Sequence, residues 1–140
     1  MRVFLDTNVV CDALFEREPW KDEALAILSL ARQQSIAAIV SALTIANVYY
    51  IGRKLVGRER SIVTVQTCLA TFVVASLDRE SVVEALGRSG SDFEDNLQLT
   101  LAMRASAEAI VTRDAIGFRG SPLVTWTPSQ FLARLKVANP

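Results

Sequence analysis

Val3-Phe4-Leu5, Ala37-Ala38-Ile39-Val40 and Ala109-Ile110-Val111 are unbroken apolar runs, each too short to be a buried helix. A strand with one wet face alternates apolar and polar residues. A continuous run is buried on both faces, as in a parallel sheet covered by helices. Parallel neighbours need long crossovers, and the stretches between the runs have helical periodicity. The chain therefore reads as α/β: a five-stranded, mainly parallel sheet flanked by helices, with residues 1–140 expected to form one domain.

The pattern places strands at Arg2–Asp6, Ala37–Ser41, Thr71–Leu77, Ala109–Thr112 and Leu123–Thr127. Helices are expected over Val9–Phe15, Trp20–Gln34, Ala42–Leu55, Arg58–Ala70, Asp78–Arg88 and Asp92–Ala105, with a last one from Pro128 to about Lys136. Asp78 suits an N-cap, and Pro128 suits a first helical turn. Gly117, Gly120 and Pro122 mark a loop. The composition is 51% hydrophobic, enough for a core without disulfides. Cys11 and Cys68 sit in apolar surroundings, outside any CxxC pair, and read as small buried hydrophobes.

No apolar run approaches the roughly 18 residues of a membrane span. The N-terminus reaches Asp6 too soon for a secretory leader, so a cytoplasmic protein is expected.

The chain has no histidine. That excludes Ser–His–Asp and Cys–His catalysis and the usual zinc sites. Fifteen basic residues balance 15 acidic ones, so net charge alone gives no nucleic-acid footprint. A GxxxxGK[ST] loop is missing, which removes a P-loop nucleotidase. A phosphoryl-receiver domain would need a lysine after the fifth strand, and Leu123-Val124-Thr125-Trp126-Thr127-Pro128 has none. A phosphatase of the Asp-x-Asp type would need a second acid where Asn8 stands.

Carboxylates remain. Ligands of parallel sheets bind outside the carboxyl ends of the strands. Asp6 ends the first strand and Asp114 follows the fourth. Asp92 and Asp95 open the helix before that strand, on one helical face. Each could simply complement a helix N-terminus. Gathered in one pocket they would repel one another, and a hard cation such as Mg²⁺ or Mn²⁺ would relieve the repulsion.

These segments carry a resemblance. Phe4-Leu5-Asp6-Thr7-Asn8 resembles the opening strand of the PIN-domain family, the fold of VapC-type toxin ribonucleases. Ser41-Ala42-Leu43-Thr44-Ile45-Ala46-Asn47-Val48-Tyr49-Tyr50 is similar to the family's second acidic segment, Asp92-Phe93-Glu94-Asp95-Asn96-Leu97-Gln98 to its third, and Val111-Thr112-Arg113-Asp114 to its fourth. The similarity runs from Met1 to about Leu135.

The resemblance implies a metal-dependent ribonuclease using Mg²⁺ or Mn²⁺, and the toxin of a toxin–antitoxin pair. Asp6, Asp95 and Asp114 would bind metal, with Asp92 as an extra or alternative ligand. Asn8 and Thr112 would orient a carboxylate or water, or else serve local turns. RNA as substrate, a small antitoxin and a homodimer are the implied partners. Many members carry Glu where this chain has Asn47, an amide that can offer a carbonyl oxygen but no charge. That departure sustains an alternative, a catalytically weak or inactive PIN domain that binds nucleic acid or protein. Arg113 and Arg119 flank the expected pocket and could meet phosphates. Arg53, Lys54, Arg58 and Arg60 read as solvated surface.

Overall fold

The computed structural model describes residues 1–138. Five strands form one sheet: β1 (Arg2–Leu5), β2 (Ala37–Ser41), β3 (Val73–Ala75), β4 (Ala109–Val111) and β5 (Val124–Trp126). Their order is β3-β2-β1-β4-β5, and every pairing is parallel. The helices are α1 (Thr7–Leu14), α2 (Lys21–Arg32), α3 (Ala42–Val56), α4 (Arg58–Thr71), α5 (Arg79–Leu86), α6 (Phe93–Arg104) and α7 (Pro128–Ala138).

The strand runs are continuous because both sheet faces are covered. Val3, Leu5, Val40 and Val111 pack on one side against Val9, Ile27, Val48 and Phe131. Phe4, Ile39 and Ile110 pack on the other side against Ala85, Leu97 and Leu101. The central strand β1 thus alternates between two cores. Burying side chains of this size contributes about 1.5–3 kcal/mol each, which outweighs any local preference within a three-residue strand.

Element edges differ from the sequence reading where caps decide them. Asp6 is not the last strand residue but the N-cap of α1, accepting from the Thr7 N–H at 2.7 Å. Helix α4 runs through Thr71, and β3 shrinks to Val73–Ala75. Asp78 caps α5 in a reciprocal box with Ser81. Thr127 and Gln130 likewise satisfy each other's backbone N–H at the start of α7. The expected loop around Gly117 contains a 3-10 turn, Ala115–Phe118.

At Gly52, α3 and α4 come close together. A Cβ there would lie 2.8 Å from the Ser61 Oγ, which donates to the Tyr49 carbonyl at 2.8 Å.

From β1 the chain winds outward to β2 and β3 on one side, then returns to lay β4 and β5 on the other. The direction reverses between β1 and β4, so a crevice opens at their carboxyl ends. The segments leaving those ends are Asp6-Thr7-Asn8 and Thr112-Arg113-Asp114.

Candidate metal centre

Asp6 is almost fully buried at that crevice, with 7% of its surface exposed. Its Oδ1 accepts from the Thr7 N–H. Its Oδ2 accepts from the Thr112 hydroxyl at 2.7 Å and the Asn8 amide at 3.2 Å. The Thr112 Oγ also accepts from the Asp114 N–H at 3.0 Å, and the Asn8 Oδ1 accepts from the Arg113 N–H at 3.3 Å. Asn8 and Thr112 thus bridge the turn after β4 and the Asp6 carboxylate through hydrogen bonds. Beneath them the hydroxyls of Thr7 and Thr44 meet at 2.8 Å, tying α1 to α3.

Asp95 enters from α6. Asp92 is the N-cap of that helix, its Oδ1 accepting from the Asp95 N–H at 2.9 Å. Burial pushes the Asp95 carboxyl up to about 6, and the charges of Asp92, Asp6, Asp114 and Glu94 push the same way. Such mutual repulsion marks carboxylates sharing one region. Asp114 is exposed and caps the 3-10 turn, its Oδ1 accepting from the Gly117 N–H at 3.3 Å. Gly117 leaves room for both neighbours: a Cβ there would stand 2.5 Å from the Asp95 Oδ2 and 3.3 Å from the Asp114 Oδ2.

Asp6, Asp92, Asp95 and Asp114 line one cavity of about 380 Å³, with Asn8, Arg17 and Gln98 in its walls. A second cavity, about 480 Å³, adjoins it across Asp95 and is walled by Ser89, Asn96, Arg119 and Ser121. Asn47 is half-buried on α3, in helical phase with Thr44 and Ile51, but only Ile51 of these lines the acidic cavity.

The walls hold oxygen donors, which suit a hard divalent cation and not zinc or copper. The raised Asp95 carboxyl is consistent with such an ion, since a cation would offset the repulsion. As placed, no three His, Cys, Asp or Glu side chains among the described residues are gathered closely enough to hold one ion. The fit thus lies in the donor chemistry and the shared cavity, not in a closed ligand cage.

Arg113 is not a free phosphate contact. Its guanidinium turns along α1 to the fully buried Asp12, with Nε at 2.6 Å and Nη2 at 3.3 Å, and lies 3.7 Å from the centre of the Trp20 ring. Arg17 also approaches Asp12, at 3.9 Å, and is the basic residue that lines the acidic cavity. Sequence reasoning missed Asp12, Arg17 and Gln98. Asp12, a lone acid among apolar residues, was the available signal. Arg119 is exposed beside the second cavity, and Arg53, Lys54, Arg58 and Arg60 are all exposed, as expected. Cys11 and Cys68 are buried and unbridged, and burial pushes each thiol up to about 11, as suits inert core residues.

Comparison with known proteins bears on this arrangement. The family model of the PIN domain matches residues 2–115. Curated protein sequences yield no match. Among solved structures, a toxin–antitoxin complex from Klebsiella pneumoniae is similar at 20% identity, over 90% of this chain and 97% of that one, with a TM-score of 0.67. VapC20 of Mycobacterium tuberculosis, a sarcin–ricin-loop-cleaving toxin, is similar at 12% identity over 87% and 98% of the two chains, with a TM-score of 0.66. VapBC2 from Rickettsia felis, bound to a fragment of promoter DNA, gives 19% identity, 89% and 97% coverage, and a TM-score of 0.64. At these identities the likeness is one of fold.

Proposed function

The chain belongs to the PIN-domain family, and on that footing we propose that it is a metal-dependent ribonuclease, with residues 1–140 acting as one domain. The observation that carries this reading is the convergence of Asp6, Asp92, Asp95 and Asp114 on one cavity at the sheet's switch point. Asp6, Asp95 and Asp114 would hold a Mg²⁺ or Mn²⁺ ion. Asp92 contributes charge while capping α6. When bound, the ion would activate water and offset negative charge on the scissile phosphate. Thr112 and Asn8 keep the Asp6 carboxylate aimed. Arg17 supplies the positive charge at the cavity wall that an RNA phosphate would meet. The polar cavity across Asp95 would take a neighbouring part of the RNA chain.

Among the described residues no helix is long and apolar enough to cross a membrane. We place the protein in the cytoplasm, where RNA is available. Tyr50, Leu55, Val63 and Leu69 are exposed apolar side chains on α3 and α4. By analogy with the toxin–antitoxin complexes of similar fold, we assign the protein a small antitoxin partner and a homodimeric state, with these helices as candidates for contact.

The experiment is thermal melting of the purified protein with Mn²⁺ or Mg²⁺ against EDTA. A ligand in hundredfold excess over Kd adds roughly 2.7 kcal/mol, or about 5–10 °C in a domain of this size. An unchanged Tm at millimolar metal would count against the cation site.

Gly117→Ala is expected to leave the fold intact, because the turn is exposed and the crowded atoms are the ends of movable side chains. It should displace the Asp95 carboxylate and weaken Mn²⁺ binding about tenfold, which is about 1.4 kcal/mol, by calorimetric titration. Unchanged affinity would mean that Asp95 and Asp114 do not act together.

Asn47 supports one second reading, a PIN domain that binds RNA or protein without cutting. The family's second acidic position is an amide here, and the cavity wall does not include it. Cation binding without RNA cleavage would select that reading.

A further inference from the structure

Gln98 sits on α6 one turn beyond Asp95, on the same helical face. It is 4% exposed and forms part of the acidic cavity's wall. Its Oε1 is the sole buried side-chain nitrogen or oxygen among the described residues with no hydrogen-bond partner. Buried polar atoms are nearly always satisfied, and leaving one unpaired costs free energy. Leu97, Leu99 and Leu101 on the same helix are buried apolar residues, and no protein group among the described residues pairs with the Gln98 amide oxygen. An apolar residue would occupy the site without that cost.

We propose that Gln98 is a ligand-side residue of the cation site, its amide oxygen supplying a neutral donor beside Asp6, Asp95 and Asp114. The inference rests on the cation-binding reading above. An amide oxygen suits a hard divalent ion and adds no charge to a group that already repels itself. The oxygen set would be completed from α6, which already carries Asp95, and not from α3.

The test uses the full-length protein, the Gln98→Met variant and the Gln98→Glu variant. Met keeps the approximate volume and removes the oxygen. Mn²⁺ affinity is read by calorimetry at pH 8, and Tm is read in EDTA. For Gln98→Met, Kd should rise at least tenfold, while Tm in EDTA stays level or rises because the orphaned acceptor is gone. Gln98→Glu should tighten Mn²⁺ binding and lower Tm in EDTA, since it adds a carboxylate to the cluster. It also decides the question if the Met variant does not fold. A Gln98→Met protein that binds Mn²⁺ as tightly as the natural one, or that loses stability in EDTA, would overturn the proposal and make Gln98 a packing residue. Unchanged affinity in Gln98→Glu would overturn it too. If the natural protein takes up no Mn²⁺, the cation-binding reading itself falls and this inference falls with it.

Discussion

Asp95→Asn should abolish RNA cleavage while making the metal-free protein harder to melt. Burial and four neighbouring acids push the Asp95 carboxyl up to about 6. Its folded pKa lies above its unfolded value. The native state therefore binds more protons than the unfolded state between pH 4 and 6, and stability falls as pH rises through that window. Above about pH 6 the natural protein carries the full penalty of the charged Asp95. The amide removes it. Solvent screens a partly exposed group, so a discounted gain of about 1 kcal/mol is expected, or roughly 3 °C at pH 7.5 in EDTA. At pH 4 the two proteins should melt together, because Asp95 is then mostly protonated in the native state. With Mn²⁺ the order should reverse, since the natural protein gains stability from the ion and the variant gains little. Melts at the two pH values, with and without metal, check this. Full cleavage by a pure, folded Asp95→Asn protein would reduce Asp95 to a structural role.

Asp12→Ala should cost about 3–5 kcal/mol, the largest stability loss expected from one substitution near the site. Asp12 is fully buried, and its carboxylate is gripped by two nitrogens of Arg113 with Arg17 nearby. Removing it leaves the Arg113 guanidinium partly buried against Trp20 without its counter-charge. A drop in Tm of about 10 °C or more follows. The site would loosen as well, because the Arg113 backbone lies between Thr112 and Asp114 and donates to Asn8. Arg113→Ala should be similarly damaging. The double variant should cost less than the sum of the two, since neither charge is left alone. Arg53→Ala, on the exposed end of α3, should stay within about 0.5 kcal/mol. Denaturant unfolding of the four proteins measures all of these. Additive losses would show that Asp12 and Arg113 are not a coupled pair.

The strands were readable because burial on both faces leaves an unbroken apolar run, as in Val3-Phe4-Leu5 and Ala109-Ile110-Val111. Their all-parallel order is a tertiary fact that no single run encodes. Thr71 has strand-like chemistry but lies in α4, because the last helical turn still closes through the Phe72 N–H to the Cys68 carbonyl. In the site, the strand-end acids were legible because a parallel sheet puts its ligands there. The resemblance ranks Asp95 above Asp92 as a ligand, but sequence alone does not say which of the two caps the helix. Both open one helix, and only the extended backbone at Asp92 makes it the cap. Arg113 adjoins Asp114, so the sequence points it toward the pocket. In fact its side chain runs back along α1 to Asp12, a partner 101 residues away. Gln98 gave no signal, since an amide inside an apolar helix looks like many solvated ones.

Whether the acidic cavity cuts RNA is decided by incubating the purified protein with single-stranded RNA and Mn²⁺, with EDTA and an Asp6→Asn protein purified in parallel as controls. Cleavage should require the metal, stop in EDTA and be absent from Asp6→Asn, whose fold is checked by circular dichroism. RNA left intact by a protein that demonstrably binds Mn²⁺, or cut equally well by Asp6→Asn, would contradict the ribonuclease reading.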